Sequence, residues 1–131
     1  MTHLVDANAL IWSQDKTGPL GTEAEDVLTD MANRLGVGIG TLWEIAIKVA
    51  SGKLALSKPL RPWIDAAIQN LDLTILDVSL DHIERLSALP DVKKHKDPFD
   101  RILAAQALVE GVPIISIDTK LDAYGVTRIW N

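Results

Sequence analysis

The apolar run at residues 113–117, with the sequence PIISI, constrains the fold more than any other stretch of the chain. A strand with one side in water alternates polar and apolar residues, whereas a nearly continuous apolar run is typical of a strand buried on both faces of a parallel sheet. Such a sheet needs helices on each face to cover it. The run therefore predicts an α/β fold with a mainly parallel sheet, and Asp118 directly follows the predicted strand.

The rest of the chain alternates strand-like and helix-like segments. By residue type and periodicity, strands are predicted at residues 3–6, 37–39, 73–78, 113–117 and 127–130. Helices are predicted at residues 7–12, 22–35, 42–50, 63–71, 80–89 and 98–110, with Thr22 and Ser79 as caps of two of them. No repeat or linker interrupts this order, so residues 1–131 are predicted to form a single domain.

The segment HKDPFDRILAAQA, residues 95–107, has the pattern of a helix start. Asp97 suits the N-cap, Pro98 the first helical position and Asp100 the third, because the first turn of a helix has free N–H groups that carboxylates stabilise. Capping alone would explain both aspartates. A functional role for Asp100 depends on where the other acidic residues lie.

Four acidic residues are predicted to meet at one edge of the sheet. Asp6 and Asp118 follow strands, Glu44 follows the strand at 37–39, and Asp100 begins a helix. The carboxyl ends of parallel strands and the helix starts after them lie at the same edge, where α/β proteins bind ligands. Each acid also has an ordinary structural explanation: a turn for Asp6, an ion pair with Lys48 for Glu44, a cap for Asp100 and an Asx turn for Asp118.

Four carboxylates in one cleft would repel each other unless a cation neutralised them. Hard divalent ions with oxygen ligands, such as Mg²⁺ or Mn²⁺, suit this role, and the chemistry they serve best is phosphodiester hydrolysis by an activated water. A zinc site is not expected, because the chain has no cysteine and its three histidines are scattered.

Composition excludes several other classes of protein. The net charge of −5 argues against a basic domain that coats nucleic acid, although Lys93, Lys94 and Lys96 form a local basic run that suits either a solvated loop or a phosphate contact. Disulfides are impossible without cysteine, and no apolar run approaches the ~20 residues of a membrane span. A soluble cytoplasmic protein is expected.

Four segments together resemble the PIN-domain ribonucleases, and among them the VapC toxins of bacterial toxin–antitoxin pairs. The segments are LVDANALIW, TLWEIAIK followed by GKL, HKDPFDRILAAQA and PIISID, and they span nearly the whole chain in the order of the family. The resemblance implies a three-layer α/β/α fold and a Mg²⁺- or Mn²⁺-dependent endoribonuclease that cuts structured RNA. It also implies a homodimer and inhibition by a small antitoxin protein.

Residue roles implied by the resemblance follow its motifs. The acids predicted to bind metal and act in catalysis are Asp6, Glu44, Asp100 and Asp118. Asp97, Thr41 and Asn8 are predicted to cap helices or hold these acids in place. RNA contacts are predicted for Lys48, Lys93, Lys94, Lys96 and Arg101, with contact to the antitoxin as the alternative for the last four.

The chain departs from many VapC sequences after the first aspartate, where Ala7 and Asn8 replace a Thr-His pair. Two alternatives to a toxin remain open. One is a PIN nuclease of RNA maturation, and the other is a PIN module that binds RNA or protein without catalysis.

Overall fold

A computed structural model describes residues 1–92 and 97–131 of the chain. The strands are β1 (His3–Val5), β2 (Leu35–Gly38), β3 (Thr74–Leu76), β4 (Ile114–Ile115) and β5 (Arg128–Ile129). The helices are α1 (Ala7–Asp15), α2 (Thr22–Thr29), α3 (Ile39–Ala50), α4 (Leu60–Leu71), α5 (Leu80–Ser87) and α6 (Pro98–Glu110), and a 3₁₀ helix spans Thr119–Tyr124. In the described ranges, the strands form one parallel sheet in the order β3-β2-β1-β4-β5.

Apolar clusters cover both faces of the sheet. Leu4 pairs with Ile114 in the register of β1 and β4, and both belong to a cluster built on α6. The next residues, Val5 and Ile115, pair in the same way and belong to the opposite cluster, which includes Trp63 of α4. Successive strand residues point to opposite faces, so this division shows helices packed on each side. The predicted α/β fold with helices on both faces is confirmed.

Strand order reverses beside β1. From β1 the chain adds β2 and then β3 on one side, and it later adds β4 and β5 on the other side. The reversal therefore falls between β1 and β4, where the loops leaving the two strands run in opposite directions and open a crevice. Asp6 follows β1, and Asp118 lies three residues beyond β4.

The predicted helix at residues 22–35 is wrong in its second half. The helix α2 ends at Thr29, Met31 is 97% exposed, and Leu35 begins β2. The backbone leaves the helical conformation at Asp30, whose side chain accepts a hydrogen bond from the N–H of Ala32. Asp30 thereby forms a local turn that competes with the helix, so the apolar spacing beyond it has no structural meaning.

Other boundaries differ from the predictions by a few residues. Thr22 is the first residue of α2 and Gly21 is its N-cap. Ile39, predicted as the end of a strand, begins α3, and α4 begins at Leu60 rather than at 63. The strands β3 and β4 are shorter than the apolar runs that predicted them. No helix in the described ranges combines the length and apolar character needed to cross a membrane.

Candidate active site

An acidic pocket of about 260 Å³ lies at the carboxyl ends of β1 and β4. It contains all four acids that the sequence predicts to meet, together with two lysines. The described residues that line it are Asp6, Ala7, Asn8, Glu44, Lys48, Asp97, Asp100, Asp118 and Lys120. We call this cavity the acid pocket.

Asp6 is held at the base of the acid pocket by two hydrogen bonds. Its Oδ1 accepts from the N–H of Ala7 at 2.7 Å, which makes Asp6 the N-cap of α1, and its Oδ2 accepts from Ser116 Oγ at 2.6 Å. Burial raises the pKa of Asp6, while the hydrogen bonds from Ser116 and Ala7 oppose that rise because they stabilise the carboxylate. The side chain is therefore fixed in orientation but costly to ionise without a cation.

Ser116 joins the ends of β1 and β4, and the sequence predictions did not include it. It is fully buried, and its Oγ both donates to Asp6 Oδ2 and accepts from the N–H of Asp118 at 3.0 Å. One hydroxyl group thus sets the spacing of two predicted metal ligands. A polar residue inside the apolar run PIISI is the signal that could have identified it, because a buried hydroxyl needs partners.

Glu44 reaches the acid pocket from α3. Its side chain is 13% exposed and lies 3.6 Å from Lys48 Nζ, so the i,i+4 ion pair considered from sequence is present at the pocket rather than on an open surface. Burial raises the pKa of Glu44 to about 7, Lys48 opposes the rise, and the negative charges of Asp6, Asp100 and Asp97 add to it. Glu44 consequently favours any cation that enters the acid pocket.

The start of α6 brings two more carboxylates to the acid pocket. Asp97 is the N-cap, and its Oδ1 accepts from the N–H groups of Phe99 at 2.8 Å and Asp100 at 3.3 Å. Asp100 lies in the first turn. Along the same helix Ala104 and Ala107 are buried, so α6 packs closely against the sheet and its first turn reaches the switch point.

Asp118 caps the 3₁₀ helix and lines the acid pocket. Its Oδ1 accepts from the N–H of Lys120 at 3.0 Å, so the Asx turn predicted for Asp118 is present. Lys120 itself lines the acid pocket, a position that the sequence predictions missed. The 3₁₀ helix that places it has no apolar periodicity long enough to be recognised.

Of the remaining predicted site residues, some line the acid pocket, some do not, and some lie outside the described residues. Asn8 and Lys48 line the acid pocket. Thr41 is buried in α3, one turn before Glu44, and is not among the described lining residues. Arg101 donates to the carbonyl of Pro90 at 3.1 Å and lies 5.5 Å from the ring centre of Tyr124, so its contacts lie away from the acid pocket. Lys93, Lys94 and Lys96 lie outside the described residues.

The donors of the acid pocket fit a hard divalent cation by their chemistry. They are carboxylate oxygens, which Mg²⁺ and Mn²⁺ prefer, and burial makes their uncompensated charge unfavourable. Within the described residues, however, no three acidic or histidine side chains already converge on one point at ligand distance. All five acids line the acid pocket, and Lys48 contacts one of them, Glu44.

Comparison with known proteins agrees with this architecture. No curated protein sequence matches the chain significantly. The fold is shared with the solved structure of VapBC2 from Rickettsia felis bound to a promoter DNA fragment, with a TM-score of 0.75 and 15% identity over 100% of both chains. It is also shared with VapBC-1 from nontypeable Haemophilus influenzae, with a TM-score of 0.63 and 19% identity over 98% of this chain and 97% of that one. A toxin–antitoxin complex from Klebsiella pneumoniae is also similar, with TM-score 0.61 and 24% identity over 91% of this chain and 88% of that one.

The family model described as PIN domain matches residues 3–126. This range includes all the strands except β5 and every acid of the acid pocket. The resemblance seen in the sequence motifs is thereby confirmed at the level of the family. The chain belongs to the PIN domain family.

Proposed function

We propose that this protein is a metal-dependent endoribonuclease and the toxin of a toxin–antitoxin pair. The observation that supports this most strongly is the meeting of Asp6, Glu44, Asp100 and Asp118 in one pocket at the switch point of the sheet. Membership of the PIN domain family supports nuclease chemistry, and the similarity in fold to proteins solved as toxin–antitoxin complexes supports the toxin role.

In this proposal the four acids hold Mg²⁺ or Mn²⁺ with water completing the coordination. The bound ion would lower the pKa of a water molecule and offset charge on the attacked phosphate. Asp6 and Asp118 are kept at a defined spacing by Ser116, and the capped first turn of α6 positions Asp100. Ligands held by buried partners need little reorganisation when the ion and substrate bind.

Lysines on the wall of the acid pocket suit an RNA substrate. Lys48 and Lys120 line the cavity, and we propose that they contact backbone phosphates, which fix the position of a nucleic acid without reading its sequence. The basic run of Lys93, Lys94 and Lys96 directly precedes Asp97 in the chain and is proposed to extend the same contact.

The partners we propose are a small antitoxin protein and a second copy of the chain. Three of the similar structures are described as VapBC complexes or as a toxin–antitoxin complex. The surface of this chain also has exposed apolar side chains near α3, including Trp43 at 64% exposure. A patch of that kind on a folded protein is usually covered by another protein.

The test is cleavage of a pool of structured cellular RNA by the purified chain with Mg²⁺ or Mn²⁺, and with EDTA. Asp6→Asn and Asp118→Asn should each abolish cleavage and abolish growth arrest on expression without a partner, because each removes a charged ligand. Asp26→Asn, at an exposed position of α2, is the matched control and should keep full activity.

Circular dichroism must show that all three variants are folded. Wild-type cleavage by both pocket variants would contradict the assignment of the site. RNA binding without cut products at any Mg²⁺ or Mn²⁺ concentration would favour a PIN module without catalysis, and cleavage without growth arrest would favour a maturation nuclease.

A further inference from the structure

Lys48 occupies an unusual place for a lysine in an i,i+4 ion pair. Its Nζ lies 3.6 Å from Glu44 Oε2, and its side chain both lines the acid pocket and remains 46% exposed. Most such pairs lie on open helix surfaces, where water and salt screen them and they contribute little. Here the carboxylate partner is only 13% exposed and faces the cavity, so the ion pair is part of the acid pocket.

The acid pocket has more negative than positive groups. Its described lining contains the acids Asp6, Glu44, Asp97, Asp100 and Asp118, against the two lysines Lys48 and Lys120. Lys48 is near enough to favour the ionised form of both Asp6 and Glu44 and so to lower the pKa of each. Lys48 therefore provides part of the charge that a divalent ion would otherwise have to supply.

We propose that Lys48 is a resident counter-cation of the acid pocket, which competes with divalent metal for Glu44 and thereby sets the metal affinity of the site. This inference rests on the proposed function, because it assumes that Glu44 is a metal ligand. An ammonium group and a divalent ion cannot both take the same carboxylate oxygens at close range without repelling each other. Lys48 has a flexible stem and is half exposed, so it can leave Glu44 and remain hydrated.

The arrangement of the acids agrees with this competition. Within the described residues they line the cavity without converging on one point, while Lys48 contacts Glu44. Movement of Lys48 away from Glu44 would free that carboxylate to turn towards the other acids. Lys120 provides a comparison in the same cavity, because the hydrogen bond that joins it to Asp118 comes from its backbone and does not depend on its ammonium group.

The experiment measures Mn²⁺ binding alone by calorimetry, with the full metal-free chain at pH 8. Lys48→Met keeps the unbranched shape and most of the length of the side chain and removes the charge, and we expect it to bind Mn²⁺ roughly three- to tenfold more tightly than wild type. Lys48→Arg should stay within about twofold, because it keeps the competing charge. Lys53→Met, which removes an exposed lysine just after α3, should bind as wild type does.

A double-mutant cycle tests whether the effect passes through Glu44. In a Glu44→Gln background, Lys48→Met should change Mn²⁺ affinity by less than about twofold, because the two cations no longer compete for a carboxylate. An undiminished effect of Lys48→Met in the Glu44→Gln background would overturn the proposal.

A second measurement follows the lysine itself. The side-chain Cε and Hε signals of Lys48 in NMR spectra should shift on titration with Mg²⁺ and level off when the site is saturated, while those of Lys53 should stay in place. Signals of Lys48 that remain unchanged at saturation would show that it does not leave Glu44. Lys48→Gln provides the calorimetric comparison if Lys48→Met is not folded.

The outcomes distinguish this inference from the proposed function. If wild type binds Mn²⁺, Asp6→Asn does not, and Lys48→Met binds as wild type does, then the metal site stands and the role of Lys48 is wrong. If wild type itself binds no Mn²⁺, both the metal site and the role of Lys48 are wrong.

Discussion

At the scale of single residues, burial sets the charge of the acid pocket. Glu44 has a pKa raised from 4.5 to about 7, and the pKa of Asp6 is also raised, in both cases chiefly because water is excluded. Between pH 4.5 and about 7, Glu44 holds more of its proton in the folded chain than in the unfolded chain. The free energy of unfolding of the metal-free protein should therefore fall as pH rises from about 4.5 to 7. The stability that comes from protonated Glu44 is fully present only below about pH 4.5.

Glu44→Gln should remove most of this pH dependence. The amide is isosteric and uncharged, so the metal-free variant should be more stable than wild type by about 1–2 kcal/mol at pH 8 and nearly equal to it at pH 5. Urea unfolding in EDTA at the two pH values measures the difference. Glu84→Gln, at an exposed position of α5, should change neither value, and a Glu44→Gln variant that is less stable than wild type at pH 8 would contradict the argument.

Ser116 is uncharged and acts on the acid pocket by orienting Asp6 and Asp118. Ser116→Ala removes the donor to Asp6 Oδ2 and the acceptor for the N–H of Asp118, so cleavage should fall about 10- to 100-fold at saturating metal. The folded state should lose about 1–3 kcal/mol, since buried polar groups are left without their partner. Ser87→Ala, which removes an exposed hydroxyl of α5, is the control, and an unchanged cleavage rate for Ser116→Ala would show that Asp6 is held by other contacts.

At the scale of elements, the start of α6 both caps the helix and lines the acid pocket. Asp97 accepts hydrogen bonds from two N–H groups of the first turn and also lines the acid pocket. Sequence reasoning assigned it to capping and Asp100 to the metal site. The structure brings both side chains to the same cavity, so capping and metal binding must be separated by substitution.

Serine can replace the cap but not the charge of Asp97. Asp97→Ser should keep the stability of wild type within a few tenths of a kcal/mol and keep most of the cleavage activity, whereas Asp97→Ala should lose about 1 kcal/mol. Thermal unfolding and the RNA cleavage assay check the two variants. Loss of cleavage in a stable Asp97→Ser variant would show that the carboxylate of Asp97 acts in the acid pocket itself.

At the scale of the whole molecule, two apolar grooves meet on the outside of α3. Their volumes are about 360 and 560 Å³, and they share Ile39 and Trp43. Trp43 is 64% exposed and stacks edge-on against Phe99 with ring centres 5.4 Å apart. The start of α6 that carries Asp97 and Asp100 thus also forms part of this apolar surface.

Trp43→Glu should weaken self-association, since it places a charge in the middle of the apolar surface. If the chain is the homodimer that we propose, light scattering coupled to gel filtration should show a dimer for wild type and a monomer for Trp43→Glu. Met31→Glu changes another exposed apolar side chain, outside the two grooves, and should remain dimeric. A dimeric Trp43→Glu variant would place the interface elsewhere.

Local interactions explain which elements could be predicted from the sequence. The range of α6 and the N-cap at Ser79 depend on contacts between residues at most four apart, and the side chains there predicted both. The capping box that His82 completes at Ser79 was not predicted.

The start of α3 at Ile39 could not be predicted in this way, and the end of α2 at Thr29 was missed although the turn at Asp30 that ends it is local. Gly38, directly before α3, lies so close to the buried Gln106 that an added Cβ would come within 2.6 Å of it, and only the packed α6 creates that constraint.

The sequence by itself determined the α/β class, the family and the four acids at the ends of strands and the starts of helices. It could do so because an apolar run and the acid that follows it are adjacent in the chain. Only the tertiary structure showed that Ser116 joins Asp6 to Asp118, that Lys120 shares their cavity and that the Glu44–Lys48 pair lines it as well. Those contacts depend on the register of β1 with β4 and on the burial of one face of α3, which residues far apart in the chain decide together.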